Sequence, residues 1–212
     1  MQRKYPGILW IGDETRREIA LTFDDGPHPL HTPLVIDSLK GHQIHASFFL
    51  LGIYIEKYPH IVKQIHADGH QIGIHGYRHV SFRKENPTTL YRHLEYTRNR
   101  IAEICDIAPE TITHIRPPYG SFNRKTLSLL EGWGYHVVMW NNIPPHWMQP
   151  LQWSIDHTLD QTTPGGVIVL HDGQGHGTVV APLLDAIVPQ LKSRGYNFVT
   201  VKEMQRRILN ES

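Results

Sequence analysis

The chain has a single cysteine, Cys105, among 212 residues. One thiol excludes an internal disulfide framework and is compatible with a reducing compartment. Long apolar runs are also missing, because no segment reaches the eighteen or so uninterrupted apolar residues of a membrane span. The apolar stretch 7–12 is too short for the core of a secretory leader. We therefore expect no membrane span, and a cytoplasmic protein if Met1 is the natural start; a leader removed earlier would make it a secreted or cell-envelope protein.

The sequence also lacks an excess of charge of one sign. Its 21 lysines and arginines are balanced by 20 aspartates and glutamates, and no basic run stands out, so we expect no nucleic-acid partner. No Gly-x-Gly-x-x-Gly or Walker-type loop follows an apolar run, which argues against a nucleotide site. A hydrophobic content of 40% is sufficient for the core of one sizeable domain. Nothing in the sequence indicates an oligomeric state.

Short apolar runs alternate with longer amphipathic segments along the chain, a pattern typical of parallel strands joined by helical crossovers. The predicted strands are 19–23, 46–50, 71–75, 112–116, 136–140, 167–171 and 197–201. The predicted helices are 33–40, 53–68, 88–104, 123–133, 151–162, 179–194 and 202–209. We expect an α/β fold, a single-domain irregular (β/α) barrel of about seven units, with an open doubly wound sheet as the alternative. Residues 1–18 are interpreted as an N-terminal extension and residues 19–209 as the domain.

The stretch LTFDDGP places Asp24 and Asp25 side by side at the end of the first predicted strand. Asp-Gly-Pro sequences often form polar turns, and this is the simpler interpretation. In (β/α) barrels, however, functional groups gather at the carboxyl ends of strands. The other predicted strand ends carry His75, Arg116 and His171. Polar, titratable side chains therefore recur where a functional site would be assembled.

His75 and His79 have a spacing that can direct two imidazoles at one metal ion. With 16 histidines in the chain, roughly one such pair is expected by chance, and we interpret the pair His66 and His70 as that chance case. Gly76 excludes the helical His-Glu-x-x-His arrangement of metalloproteases. A catalytic zinc typically has three protein ligands, so a third ligand must come from elsewhere. The paired aspartates could supply both a ligand and a free base.

Four segments occur in the order typical of one family: TFDDGP (22–27), HGYRH (75–79), RPPYG (116–120) and VLHD (169–172). Together they resemble the motifs of the NodB-type polysaccharide deacetylases, also called carbohydrate esterase family four, and the resemblance extends roughly over residues 19–201. It implies a NodB-like catalytic domain and a metal-dependent hydrolase acting on carbon–nitrogen bonds other than peptide bonds. Such an enzyme would remove an N-acyl group, above all N-acetyl, from an amino sugar or an N-acetylglucosamine-containing saccharide.

The resemblance also implies a role for each matching residue. Asp24 would be the general base, Arg116 would orient it, and His171 would be the general acid. The backbone N–H of Tyr119 would face the oxyanion of the reaction. The implied cofactor is a divalent metal, with zinc expected and cobalt or nickel as alternatives, and its implied ligands are Asp25, His75 and His79.

The fourth motif of the family, Asp-x-x-Asp-Trp, is changed in this chain. Its tryptophan is kept as Trp147, while the two aspartates align with Ile143 and His146. We expect a slowed or retuned enzyme, since His171 lacks the usual carboxylate partner. His146 could enter the site as a ligand, an acid or a substrate contact, or it could be an ordinary loop histidine. The substrate-binding candidates are Trp147, Pro117 and His146, and Trp140 and Trp153 are expected to be packing residues.

Two alternatives stay open at this stage. One is another amide or ester hydrolase on the same scaffold, such as a deformylase, a cyclic-amide hydrolase or an O-acetyl xylan esterase. The other is a saccharide-binding protein that keeps the metal and has lost turnover.

Overall fold

A computed structural model describes residues 7–173 and 177–210. Within those ranges the strands form a sheet of eight, in the order β1-β6-β5-β4-β3-β2-β7, with β8 paired to β2. All strand pairs are parallel. The strands are β1 (Ile8–Leu9), β2 (Glu18–Asp24), β3 (Ser47–Leu50), β4 (Gln71–Ile74), β5 (His114–Ile115), β6 (His136–Val138), β7 (Val167–His171) and β8 (Asn197–Phe198).

Helices provide the crossovers that parallel strands require. They are α1 (His31–Gly41), α2 (Gly52–Lys57), α3 (Pro59–Ala67), α4 (Pro87–Cys105), α5 (Arg124–Gly132), α6 (Leu151–Gln161), α7 (Val180–Ser193) and α8 (Val201–Asn210). The sheet curls until the segment after β6 reaches the far edge strand, where Asn142 forms a parallel bridge with Ile168. The predicted irregular (β/α) barrel is therefore confirmed.

The structure differs from the sequence-based expectation in two places. The helix predicted over 53–68 is broken into α2 and α3, because Pro59 has no N–H to continue the hydrogen-bond ladder and disfavours helical backbone at Tyr58. Residues 8–9, inside the segment interpreted as an extension, form strand β1 beside β6. The division of the chain at residue 18 stays a prediction.

A small apolar cluster joins the strands of the sheet to α8. Its members from the strands include Ala20, Phe49, Val138 and Val167, and α8 adds Val201 and Met204. Burying such side chains stabilises the fold by about 1.5–3 kcal/mol for each large one. The larger cluster fills the space between the strands and the surrounding helices. No helix in the described ranges is long and apolar enough to cross a membrane.

A buried histidine makes the stability of the fold depend on pH. His114 is 4% exposed, its Nε2 donates to Oε1 of Gln205 at 2.7 Å, and burial lowers its pKa from 6.5 to about 4. The folded state favours the neutral ring, so this contribution is complete above pH 6.5 and is lost as the pH falls toward 4. We expect the loss from His114 to reach about 3 kcal/mol at pH 4.

Urea unfolding at pH 7 and pH 4.5 tests this contribution by difference, so that the titration of other buried groups cancels. The variant His114→Gln should lose less stability between the two pH values than the wild-type protein does. His136→Gln, at the exposed neighbouring ring 5.8 Å away, is the matched control. Parallel pH dependence of the wild-type protein and His114→Gln would contradict this assignment.

Candidate active site

The curled sheet brings the predicted strand-end residues to one end of the barrel. Asp24 and His171 are register partners on β2 and β7. His75 follows β4, and Arg116 follows β5, with its backbone N–H donating to the carbonyl of Ile74 at 2.9 Å. Residues that are far apart in sequence therefore surround a common space.

Asp25, His75 and His79 are the one group in residues 7–173 and 177–210 that offers three close metal-ligand atoms. Oδ1 of Asp25 lies 3.4 Å from Nε2 of His75 and 3.4 Å from Nε2 of His79. A tetrahedral site with zinc–ligand distances of about 2.0–2.1 Å has edges of about 3.4 Å. The spacing of these atoms therefore matches that of a tetrahedral cation site.

The protonation of the two imidazoles also suits a cation. Nδ1 of His75 donates to the carbonyl of Arg116 at 2.7 Å, so the lone pair of Nε2 faces Asp25. Burial lowers the pKa of His75 to about 4 and lowers the pKa of His79, which keeps both rings neutral at pH 7. Neutral imidazole is the form that binds metal ions.

The carboxylates of the site are crowded. Burial first, and then the negative charges of Asp24 and Asp172, raise the pKa of Asp25 to about 7. Oδ1 of Asp25 is buried and accepts no hydrogen bond within the described ranges. A divalent cation would offset this repulsion and satisfy this oxygen, so the residues fit the metal that the resemblance implies.

Backbone conformation positions both Asp25 and the loop of the histidines. Asp25 has a φ of 71°, a left-handed conformation that is uncommon for a residue with a side chain and that often occurs at functional sites. Gly76, between the two histidines, has a φ of 102°. A side chain at position 76 would be strained, so glycine suits this backbone conformation.

Arg116 is fully buried and fixes Asp24. Its Nη1 donates to Oδ1 of Asp24 at 2.7 Å and to Oγ1 of Thr22 at 2.8 Å. Its Nε and Nη2 donate to the carbonyls of Val138 and Met139 at 3.2 and 3.0 Å. Because these other bonds fix the guanidinium, its single charged hydrogen bond holds the carboxylate of Asp24 in place. The predicted pairing of Arg116 with Asp24 is therefore observed.

Tyr119 lies in the turn after Arg116, with a φ of 61°. The two hydrogen bonds of this turn are donated by the N–H groups of Gly120 and Ser121 to Pro117 and Pro118, which leaves the N–H of Tyr119 outside them. The Tyr119 side chain is 68% exposed, and its hydroxyl donates to the carbonyl of His79 at 3.3 Å. The turn thus places Tyr119 beside the proposed metal ligand His79.

Comparison with known proteins decides the family. A sequence model of the family described as polysaccharide deacetylase matches residues 11–138, more than half of the chain. The chain belongs to the polysaccharide deacetylase family. It is accordingly a hydrolase of the class that acts on carbon–nitrogen bonds other than peptide bonds.

Its relatives in this family include proteins named as deacetylases. The chain is 38% identical over 197 residues to a peptidoglycan-N-acetylglucosamine deacetylase of Bacillus cereus, covering 91% of the chain and 70% of that protein. It is 31% identical over 195 residues to a chitooligosaccharide deacetylase of Azorhizobium caulinodans, covering 86% of the chain and 92% of that protein. A crystal structure of a peptidoglycan N-acetylglucosamine deacetylase superposes with a TM-score of 0.89 at 35% identity, covering 95% of the chain and 94% of that structure.

The changed fourth motif of this chain has a defined place in the structure. His146 is 4% exposed, and its Nε2 accepts a hydrogen bond from the backbone N–H of His171 at 3.0 Å. It is not a member of the three-ligand group formed by Asp25 and the two histidines within the described ranges. Trp147 is half-buried and packs edge-on against the ring of His171, with centroids 4.9 Å apart. Contact of His146, Trp147 and Pro117 with substrate stays a prediction.

The expectation for the other two tryptophans holds for one of them. Trp140 packs against the core and lies 5.7 Å from the guanidinium of Arg116. Trp153 is 41% exposed and stacks on the ring of His157, so the prediction that it packs in the interior is wrong. Helix α6 presents it to solvent, and periodicity alone did not separate the two faces of that helix.

Sequence reasoning missed two residues that support the loop of Asp25. Asp172 is fully buried, burial raises its pKa to about 7, and its Oδ2 accepts a hydrogen bond from the hydroxyl of Thr32. A Cβ at Gly26 would lie 3.0 Å from both carboxylate oxygens of Asp172. The position of Asp172 directly after His171 could have indicated a place near the site. Its buried contact with Thr32, however, joins residues 140 positions apart and leaves no local pattern.

The histidine pair interpreted as a chance case lies elsewhere. His66 and His70 line a cavity of about 410 Å³ near the amino end of β4, away from the carboxyl ends where the deacetylase motifs meet. In residues 7–173 and 177–210 they belong to no group of three metal ligands.

This contrast gives a test of the metal site. Zinc at 100 times its Kd should stabilise the wild-type protein by about 2.7 kcal/mol, and His79→Ala should lose most of that stabilisation. His66→Ala is the matched control from the other pair and should keep it. Thermal unfolding with and without zinc measures both effects, and equal stabilisation of His79→Ala and the wild-type protein would refute the site.

Proposed function

We propose that the protein removes N-acetyl groups from an N-acetylglucosamine-containing saccharide. The reaction depends on a divalent metal, for which zinc is the leading candidate, held by Asp25, His75 and His79. The observation that carries the proposal is the division of labour between the paired aspartates. Asp25 faces the two imidazole Nε2 atoms at 3.4 Å, while Arg116 holds Asp24 at 2.7 Å. One carboxylate is thus directed at the ligand group, and its neighbour is kept for proton transfer.

A metal ion held there would act as a Lewis acid that polarises the acyl carbonyl and acidifies water. Asp24 takes the proton of the attacking water, because its carboxylate is fixed by Arg116 beside the ligand group. The N–H of Tyr119 donates to the developing oxyanion. His171, the register partner of Asp24 across β2 and β7, donates a proton to the leaving nitrogen.

The rim of the site suits a sugar. The ring of Tyr119 is 68% exposed and lies edge-on to His79, with centroids 4.2 Å apart. The half-buried ring of Trp147 lies beside His171. Aromatic rings offer apolar faces for stacking on pyranose rings while their polar groups stay available. The saccharides in the names of the relatives, peptidoglycan and chitin oligosaccharides, define the first substrates to test.

Release of acetate from three substrates tests the type of bond that is hydrolysed. The substrates are N-acetylated chitooligosaccharides, N-acetylated peptidoglycan and O-acetylated xylan. Acetate from either N-acetylated substrate, and little from xylan, would support the proposal. Acetate from O-acetylated xylan alone would replace it by an esterase on the same scaffold.

A further inference from the structure

Three alternate backbone N–H groups of β7 donate to one short segment that follows β6. The N–H of Val167 donates to Oδ1 of Asn141 at 2.7 Å, and that of Val169 donates to the carbonyl of Asn142 at 3.0 Å. The N–H of His171 donates to Nε2 of His146 at 3.0 Å. The segment therefore acts as a partial partner strand, in which two of the three acceptors are side chains.

The local sequence explains why the N–H of His171 bonds to a side chain, that of His146, and not to a backbone carbonyl. The bridge between Asn142 and Ile168 is isolated, since the chain turns away through Pro144 and Pro145. The N–H of His146 donates to the carbonyl of Pro144 at 2.7 Å, which closes a tight turn. This turn returns the imidazole of His146 to β7, where it takes the place of the backbone carbonyl that a continuing strand would supply.

The ring of His171 has little else to fix it. Its Nδ1 is buried and has no hydrogen-bond partner within residues 7–173 and 177–210. The ring contacts Trp147 edge-on at 4.9 Å and lies 5.5 Å from the ring of His146. The consecutive residues His146 and Trp147 therefore contact the backbone and the ring of the proposed general acid.

We infer that His146 is a positioning residue for His171, acting through the backbone N–H of His171 and through the placement of Trp147. The inference rests on the proposed function, because it assigns His146 to the group that protonates the leaving nitrogen. In this arrangement His171 is oriented by the hydrogen bond to its backbone N–H and by the packing of Trp147 on its ring. No carboxylate among the described residues bonds to Nδ1 of that ring.

Steady-state kinetics of two variants test the inference. His146→Leu replaces the imidazole by an apolar side chain of similar size and so removes the acceptor. We expect kcat to fall by about 10²-fold, the typical cost of a misplaced catalytic group. KM should stay near its wild-type value. His146→Gln restores an acceptor oxygen and should recover most of kcat. His157→Leu, at the half-buried ring that stacks on the exposed Trp153, is the matched control and should behave as the wild-type protein.

The background variant His171→Asn shows whether His146 acts through His171. If it does, adding His146→Leu to His171→Asn should cause almost no further loss of kcat, since the two effects are strongly coupled. A further loss as large as in the wild-type background would overturn the inference and leave His146 a general structural residue. Zinc binding and cooperative unfolding are checked in each variant, and His146→Gln carries the test if the leucine variant does not fold.

A spectroscopic readout separates this inference from the proposed function. In protein labelled with ¹³C in the histidine rings, the resonance of His171 is assigned by its loss in His171→Asn. We expect His146→Leu to shift or broaden that resonance and to change its titration, whether or not any substrate is hydrolysed. An unchanged His171 resonance and titration in His146→Leu would overturn the positioning role.

Discussion

Asp24→Asn is expected to lower kcat for deacetylation by about 10²–10⁴-fold, the usual contribution of a general base. The amide can still accept a hydrogen bond from Arg116, which now holds Oδ1 of Asp24 at 2.7 Å. It cannot take a proton from water at neutral pH. Zinc should remain bound, because Asp24 is outside the ligand group of Asp25, His75 and His79.

Two measurements on the same preparation make this test specific. Steady-state kinetics give kcat, and bound zinc is determined by elemental analysis. Asp185→Asn, at an exposed carboxylate bonded to Ser38, is the control and should keep full activity. Activity of Asp24→Asn near the wild-type level would refute the assignment of the base. Loss of zinc in Asp24→Asn would instead move this residue into the ligand group.

Arg116→Met is expected to cost the largest amount of stability of any single substitution at the site, about 3–5 kcal/mol. The change leaves Asp24 as a buried carboxylate without its cation and removes the donors to Thr22 and to two backbone carbonyls. The guanidinium also lies 4.2 Å from the centre of the Phe49 ring, and the substitution removes this contact. The whole free energy of unfolding of a typical domain is only about 5–15 kcal/mol.

Urea unfolding measures this loss against a surface control. Arg206→Met removes an exposed arginine of α8 and should change stability by no more than about 0.5 kcal/mol. Adding Asp24→Asn to Arg116→Met should recover part of the loss, because the uncompensated charge is then gone. A cost of Arg116→Met no larger than that of Arg206→Met would show that the buried pair does not support the fold.

The sequence predicted the fold and most of the candidate site for clear physical reasons. Short apolar runs and amphipathic helical patterns are local, so they located the strands from β2 to β8 and the helices between them. Parallel strands bring their carboxyl ends together, so residues such as Asp24, His75 and His171 could be grouped before their distances were known. The pairing of Arg116 with Asp24 followed from the family resemblance, and the structure shows it at 2.7 Å.

The features that were missed depend on contacts between distant segments. Strand β1 has only two residues and shows no periodicity of its own; it exists because β6 provides an edge. The hydrogen bond between Thr32 and Asp172 spans 140 positions. The role of His146 could not be predicted, since Pro144 and Pro145 indicate a turn but not the strand to which the turn returns. In each case a neighbouring element decides the conformation.

The measurement that tests the central claim most directly is mass spectrometry of short N-acetylated chitooligosaccharides incubated with zinc-loaded protein. A chelated sample and zinc-loaded Asp24→Asn are measured beside it, with bound zinc confirmed in both loaded preparations. The account predicts loss of the mass of acetyl groups in the loaded wild-type sample, and almost none in the other two. Intact acetyl groups in the loaded wild-type sample, or equal loss in the chelated one, would contradict it.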